Sequence, residues 1–112
     1  MAKMTTITWY YPRNCPVCGS DGELFICKRP DRALCLRCAE CFSTFDSLQD
    51  VEHPTTAYGT EEGLFSPPTR AEIDAYGWSS YCINEERWDQ EHIRRAHDIG
   101  YWDVGEFLDS PE

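Results

Sequence analysis

The chain has 112 residues and carries ten Lys or Arg against twenty Asp or Glu, a formal charge of −10. Few cations exclude a generally basic nucleic-acid coat protein, because phosphate contacts are made by Lys and Arg. Aromatic residues make up 13 % of the chain, which excludes a disordered acidic tail, and the length predicts one domain or a small domain with an appendage.

The first strand is expected over Thr5–Tyr11, where Ile7, Trp9 and Tyr11 alternate with Thr6, Thr8 and Tyr10 before Pro12 ends the run. Asn14–Asp21 reads as a tight, cysteine-bearing turn and Glu23–Lys28 as a second strand. Arg29-Pro30-Asp31-Arg32 is a hairpin connection, Ala33–Arg37 the returning strand, and Cys41–Phe45 a further one. His53–Pro68, with three Pro and two Gly, reads as a loop that Tyr58, Leu64 and Phe65 could pin to the body. The period then changes. Thr69 and Glu72 form a capping box for a short helix over Arg70–Tyr76, stopped by Gly77. Asn84 reads as the N-cap of a second helix, with Glu85 and Glu86 in its first turn and its end at Gly100. Trp88, His92, Ala96 and Ile99 make its apolar stripe, and Arg87–Glu91, Glu91–Arg95 and Arg94–Asp98 its wet-face pairs. The fold class is therefore a small α+β chain. Three segments are expected: a β domain over 1–50, a linker over 51–68 and an acidic helical segment over 69–112, which could pack on the first as one body.

Seven cysteines stand in this short chain. The odd count cannot all pair within the chain, and the N-terminus lacks a signal-peptide pattern, so a reducing, cytoplasmic setting is expected. No apolar run reaches the ~18 residues of a membrane span. Cys15-Pro16-Val17-Cys18-Gly19 places two thiolates three positions apart on a turn. One such pair could be redox-active; a second, in Cys35-Leu36-Arg37-Cys38-Ala39-Glu40-Cys41, points instead to four-sulfur metal coordination. That geometry suits Zn²⁺, with an iron–sulfur or redox site as the lesser alternative.

With these motifs the chain resembles a zinc ribbon over about residues 12–46. The resemblance implies two knuckles at the ends of a β-hairpin that share one structural zinc, held by Cys15, Cys18, Cys38 and Cys41. Cys35 is an alternative ligand, because Cys35/Cys38 has the same spacing as Cys38/Cys41. Phe42 departs from the family at a position where Gly is common. Cys27 and Cys35 are expected to face each other across the hairpin as buried thiols. Cys82 stands among acidic neighbours that oppose a reactive thiolate.

His92 and His97, five positions apart, do not share a helix face, and His53 has no evident partner. No phosphate loop or nucleophile elbow is present, and no enzyme is expected. Charge offers a different lead. Six basic and six acidic residues balance over 1–50, whereas four basic against fourteen acidic residues over 51–112 carry the whole excess. Glu85, Glu86, Asp89, Glu91 and Asp98, with Trp78, Trp88 and Trp102 as aromatic anchors, would suit a basic protein partner. In size, charge and architecture, though not by any motif, the chain is loosely similar to small acidic bacterial immunity proteins that cover a basic nuclease toxin. The alternative is nucleic acid or the transcription machinery, met by Lys28, Arg29 and Arg32 at the hairpin tip.

Overall fold

The computed structural model describes residues 5–17, 22–51 and 63–108. The expected α+β class is what forms: the described residues make five antiparallel strands in two sheets and three short α-helices. Strands β2 (Leu24–Lys28), β3 (Leu34–Cys38) and β4 (Thr44–Phe45) make a three-stranded sheet in that order. The β2–β3 turn closes through Arg32 N–H donating to the Arg29 carbonyl at 2.7 Å, while Asp31 Oδ1 accepts from Ala33 N–H at 3.0 Å. Arg32 takes the left-handed position at φ 77°, which side chains with a Cβ occupy at a cost. A four-residue helix, α1 (Leu48–Val51), follows β4.

The second sheet departs from the sequence reading. β1 (Ile7–Tyr11) pairs with β5 (Asn84–Trp88), Ile7 opposite Trp88 and Tyr11 opposite Asn84. The helix expected from Asn84 therefore does not start there: Glu85 and Glu86 lie on a strand rather than in a first helical turn. The N-cap of α3 (Gln90–Ile99) is Asp89, whose carboxylate accepts the His92 N–H at 2.9 Å. Arg87, now in β5, has no helical i,i+4 relation to Glu91. A β1 edge wanting a partner outweighs the local preference of an Asn-Glu-Glu start, and strand pairing satisfies backbone groups that a lone edge leaves open. The helix end is as expected, with Gly100 left-handed at φ 91°.

The capping box of α2 (Arg70–Ala75) forms fully: Glu72 N–H donates to Thr69 Oγ1 at 3.1 Å, and Thr69 N–H to Glu72 Oε1 at 2.8 Å. Gly77 follows at φ 89°. Short 3₁₀ turns over Ser79–Tyr81 and Gly105–Phe107 were not legible in the sequence.

One core cluster joins the cysteine-rich and acidic halves. Trp9 of β1 stacks on Phe25 of β2 with ring centroids 4.7 Å apart, and Trp88 and Trp102 pack against both rings. Each such ring removes roughly 150–250 Å² from water, several kcal/mol at about 25 cal/mol per Å². Described residues of both expected segments, 1–50 and 69–112, thus contribute to the same core cluster. Of the expected linker over 51–68, residues 52–62 lie outside the described residues, and Phe65 is fully buried.

Polar ties run the same way. Arg37 of β3 is fully buried, donates to Thr44 Oγ1 at 3.2 Å and to the Tyr101 carbonyl at 3.1 Å, and lies over the Phe65 ring at 3.8 Å. Lys28 reaches Glu72 at 3.0 Å. Among the described residues, no helix is long and apolar enough to cross a membrane.

Candidate metal centre and the groove beside it

Three cysteines converge where the two knuckles were expected. The sulfurs of Cys15, Cys38 and Cys41 all lie within 4.8 Å of one another, a group that could hold a metal ion. Cys15 follows β1 on a turn tied down by Cys15 N–H to the Gly22 carbonyl at 2.7 Å. Cys38 ends β3, and Cys41 follows it on the turn before β4. Cys18, the fourth expected ligand, lies outside the described residues.

Both turns aim backbone N–H groups at sulfur. Val17 N–H donates to Cys15 Sγ at 3.3 Å, and the N–H groups of Glu40 and Cys41 donate to Cys38 Sγ at 3.3 Å each. Such donors stabilise the thiolate form, which is the form that binds metal. Burial pushes the Cys38 thiol well up, and the Cys41 and Glu40 N–H groups offset only part of that. Burial also pushes Cys41 up, but hydrogen bonding with Ser43, Cys38 and Cys15 outweighs it and leaves the thiol below its ordinary value.

Gly22 makes the approach possible. A Cβ built there would stand 2.5 Å from Cys38 Sγ and 2.9 Å from Glu40 Cβ. Phe42, just after the second knuckle, is left-handed at φ 63°. That is the conformation a Gly would adopt freely, and its cost is offset by stacking of the Phe42 ring on Tyr101, centroids 4.0 Å apart.

Cys35 does not join the cluster. It sits on β3 opposite Cys27, both fully buried, with the sulfurs 3.6 Å apart. Burial first, then the Cys35 neighbour, pushes the Cys27 thiol well above its ordinary value. Cys82 is part-buried; burial, Asp74 and Glu85 raise its thiol against the pull of Arg70.

The expected partner residues separate into two groups. Glu85, Asp89, Glu91 and Asp98 are exposed, and Glu86 is half-buried. Asp89 is already used as the α3 cap. Trp88 and Trp102 are not surface anchors: each keeps 3 % of its surface, because both complete the aromatic core. Trp78 is half-buried between Tyr76 and Tyr81. At the hairpin tip, Lys28 pairs with Glu72 and Arg29 with Asp46, and Arg32 is exposed. His53 lies outside the described residues. His92 stacks on Trp88 with centroids 4.5 Å apart.

Sequence reasoning missed a groove of about 620 Å³ between the second knuckle and α3. Phe25, Phe42, Trp88 and Trp102 form its aromatic wall, and Glu23, Glu40 and Glu86 edge it. The one signal available was Glu40, held inside the Cys38-Ala39-Glu40-Cys41 knuckle.

Comparison with known protein families, characterised proteins and solved structures gives no match for the chain.

Proposed function

We propose that the chain is a zinc-stabilised interaction module that binds a basic protein, and that it acts as an inhibitor of the immunity type, covering the cationic cleft of a nuclease toxin. The observation that carries the zinc assignment is the spacing of Cys15 Sγ and Cys41 Sγ, 3.8 Å. Sulfurs at about 2.3 Å from a tetrahedral Zn²⁺ are about 3.8 Å apart. Cys18 supplies the fourth thiolate in this reading, which makes the centre one of zinc-ribbon type. Four thiolates leave no coordination position for water, so the ion serves folding and we assign no catalysis to it. When bound, it contributes on the order of 10–16 kcal/mol in small zinc peptides.

The partner assignment rests on charge. Three cations are matched within the fold, Lys28 with Glu72, Arg29 with Asp46 and Arg70 with Asp74. Among the described residues, Glu23, Glu40, Glu85, Glu86 and Glu91 form no ion pair within the chain. A field of unmatched carboxylates favours encounter with a basic surface and speeds association. The same pairing weakens the nucleic-acid alternative, since two of its three tip cations are committed to carboxylates.

Co-expression with the product of the adjacent reading frame tests the function. A basic protein whose toxicity is suppressed, and which co-purifies at one to one, supports it. Suppression should fail for a Glu85→Lys, Glu91→Lys chain that keeps its metal. Unchanged suppression by that chain would remove this surface from the function.

A further inference from the structure

We propose that the groove between the second knuckle and α3 is a binding site for an arginine side chain of the partner, and this rests on the reading of the chain as a binder of basic proteins. The groove has the size of a site for a small group, about 620 Å³. Four aromatic residues line it, of which Phe42 is half-buried and Phe25, Trp88 and Trp102 show only a sliver of surface. Carboxylates enter from three separate elements. Glu23 comes from the turn before β2, Glu40 from the knuckle and Glu86 from β5.

None of the three carboxylates forms an ion pair among the described residues. Glu23 and Glu86 both bear on the Tyr11 phenol: burial raises it first, and the two negative charges raise it further. The two carboxylates therefore share a region of negative potential. An aromatic wall beside unmatched carboxylates is what a guanidinium needs. Its plane stacks on a ring, its N–H fork meets carboxylates in pairs, and it sheds water more readily than an ammonium. Arg95 of α3 also lines the groove without an ion pair among the described residues. One resident cation against three carboxylates leaves the groove net negative.

The metal centre fixes this rim. Glu40 N–H is bound to Cys38 Sγ at 3.3 Å, and the Glu23 carbonyl accepts from Ala39 N–H at 2.9 Å. The two carboxylates are thus carried by the backbone that the cysteines hold.

The test is an NMR titration of the metal-loaded full chain with Nα-acetyl-arginine amide, with Nα-acetyl-citrulline amide as the uncharged isostere. Saturable shifts localised to residues 40–42, 86–88 and 92–96 are expected for the arginine probe, with at least tenfold weaker binding of citrulline. A Glu40→Gln, Glu86→Gln chain with full metal content should lose the arginine response at least tenfold. Equal response to the two probes, no saturable shift, or an unchanged response in that variant would overturn the site. Since the probe replaces the partner, such a result leaves the partner reading to the co-expression test, whose failure would in turn leave a positive titration standing.

Discussion

Cys15 Sγ and Cys41 Sγ stand 3.8 Å apart although 26 positions separate them in the chain. The β2–β3 hairpin closes that distance, with Leu24 opposite Cys38 and Lys28 opposite Leu34. Its open end brings the turn after β1 against the turn after β3. Fold and candidate centre are therefore one construction: the hairpin register sets the sulfur spacing, and an ion held there would fix the register.

The assignment of ligands separates two cysteines that are three positions apart. Cys38→Ser should lose the metal and most of the folded population, read by metal content and near-UV circular dichroism. Cys35→Ala should keep one ion per chain and lose roughly 1–2 kcal/mol from the cavity left beside Cys27. Loss of metal in Cys35→Ala with retention in Cys41→Ala would exchange their roles.

Gly22→Ala carries a steric prediction that polarity does not confuse. The added methyl would stand 2.5 Å from Cys38 Sγ, so the strand or the knuckle must shift. A destabilisation of about 1–3 kcal/mol is expected, together with faster transfer of the metal to a chelator. Wild-type stability and transfer rate in this variant would mean that the knuckle is not held against Gly22.

Arg37 joins β3 to the chain at Tyr101 and is fully buried. Arg37→Ala leaves a cavity and strips the Tyr101 carbonyl of its shorter hydrogen bond, leaving the Phe65 N–H at 3.5 Å, and a loss of about 3–5 kcal/mol is expected by denaturant titration. Arg37→Lys should recover little of it, because an ammonium does not reproduce the planar contact with Phe65. Full recovery by Lys would reduce the role of Arg37 to its charge.

Glu72 supplies a pH dependence. The Thr69 backbone N–H, then Lys28, hold its carboxyl below the ordinary value of 4.5. With the folded value depressed, the stabilisation is complete above the unfolded value and is lost as pH falls through the folded one. The group is part-exposed, and solvent screening limits the effect, so Glu72→Gln should cost about 1 kcal/mol or less at neutral pH. The difference should vanish in acid. A deficit that persists at pH 2 would indicate packing rather than charge.

How far the fold was legible depended on the distance over which each element is decided. Thr69 and Glu72 specify their helix within four residues, and Gly100 ends the next one by its own backbone freedom; both are local chemistry. The hairpin strands follow from short apolar runs on either side of a Pro-Asp turn. Asn84–Trp88 was misread because its strand exists only through Ile7–Tyr11, more than seventy positions away, a pairing that no local pattern announces. For the same reason Trp88 and Trp102 looked available as anchors: their burial depends on a core assembled from both ends of the chain. In the cysteine cluster, spacing alone left Cys35 and Cys41 equivalent. Strand pairing distinguishes them, turning Cys35 toward Cys27 while Cys41 rounds the knuckle toward Cys15.

The most direct measurement is a cobalt(II) titration of the reduced, metal-free chain, followed by displacement with zinc and elemental analysis. One equivalent of cobalt should produce the intense visible bands of tetrahedral thiolate coordination together with the folded near-UV signal. One equivalent of zinc should then remove the bands and keep the fold. A metal-free chain that is already folded, or a cobalt spectrum without thiolate bands at one equivalent, would contradict a four-cysteine structural centre.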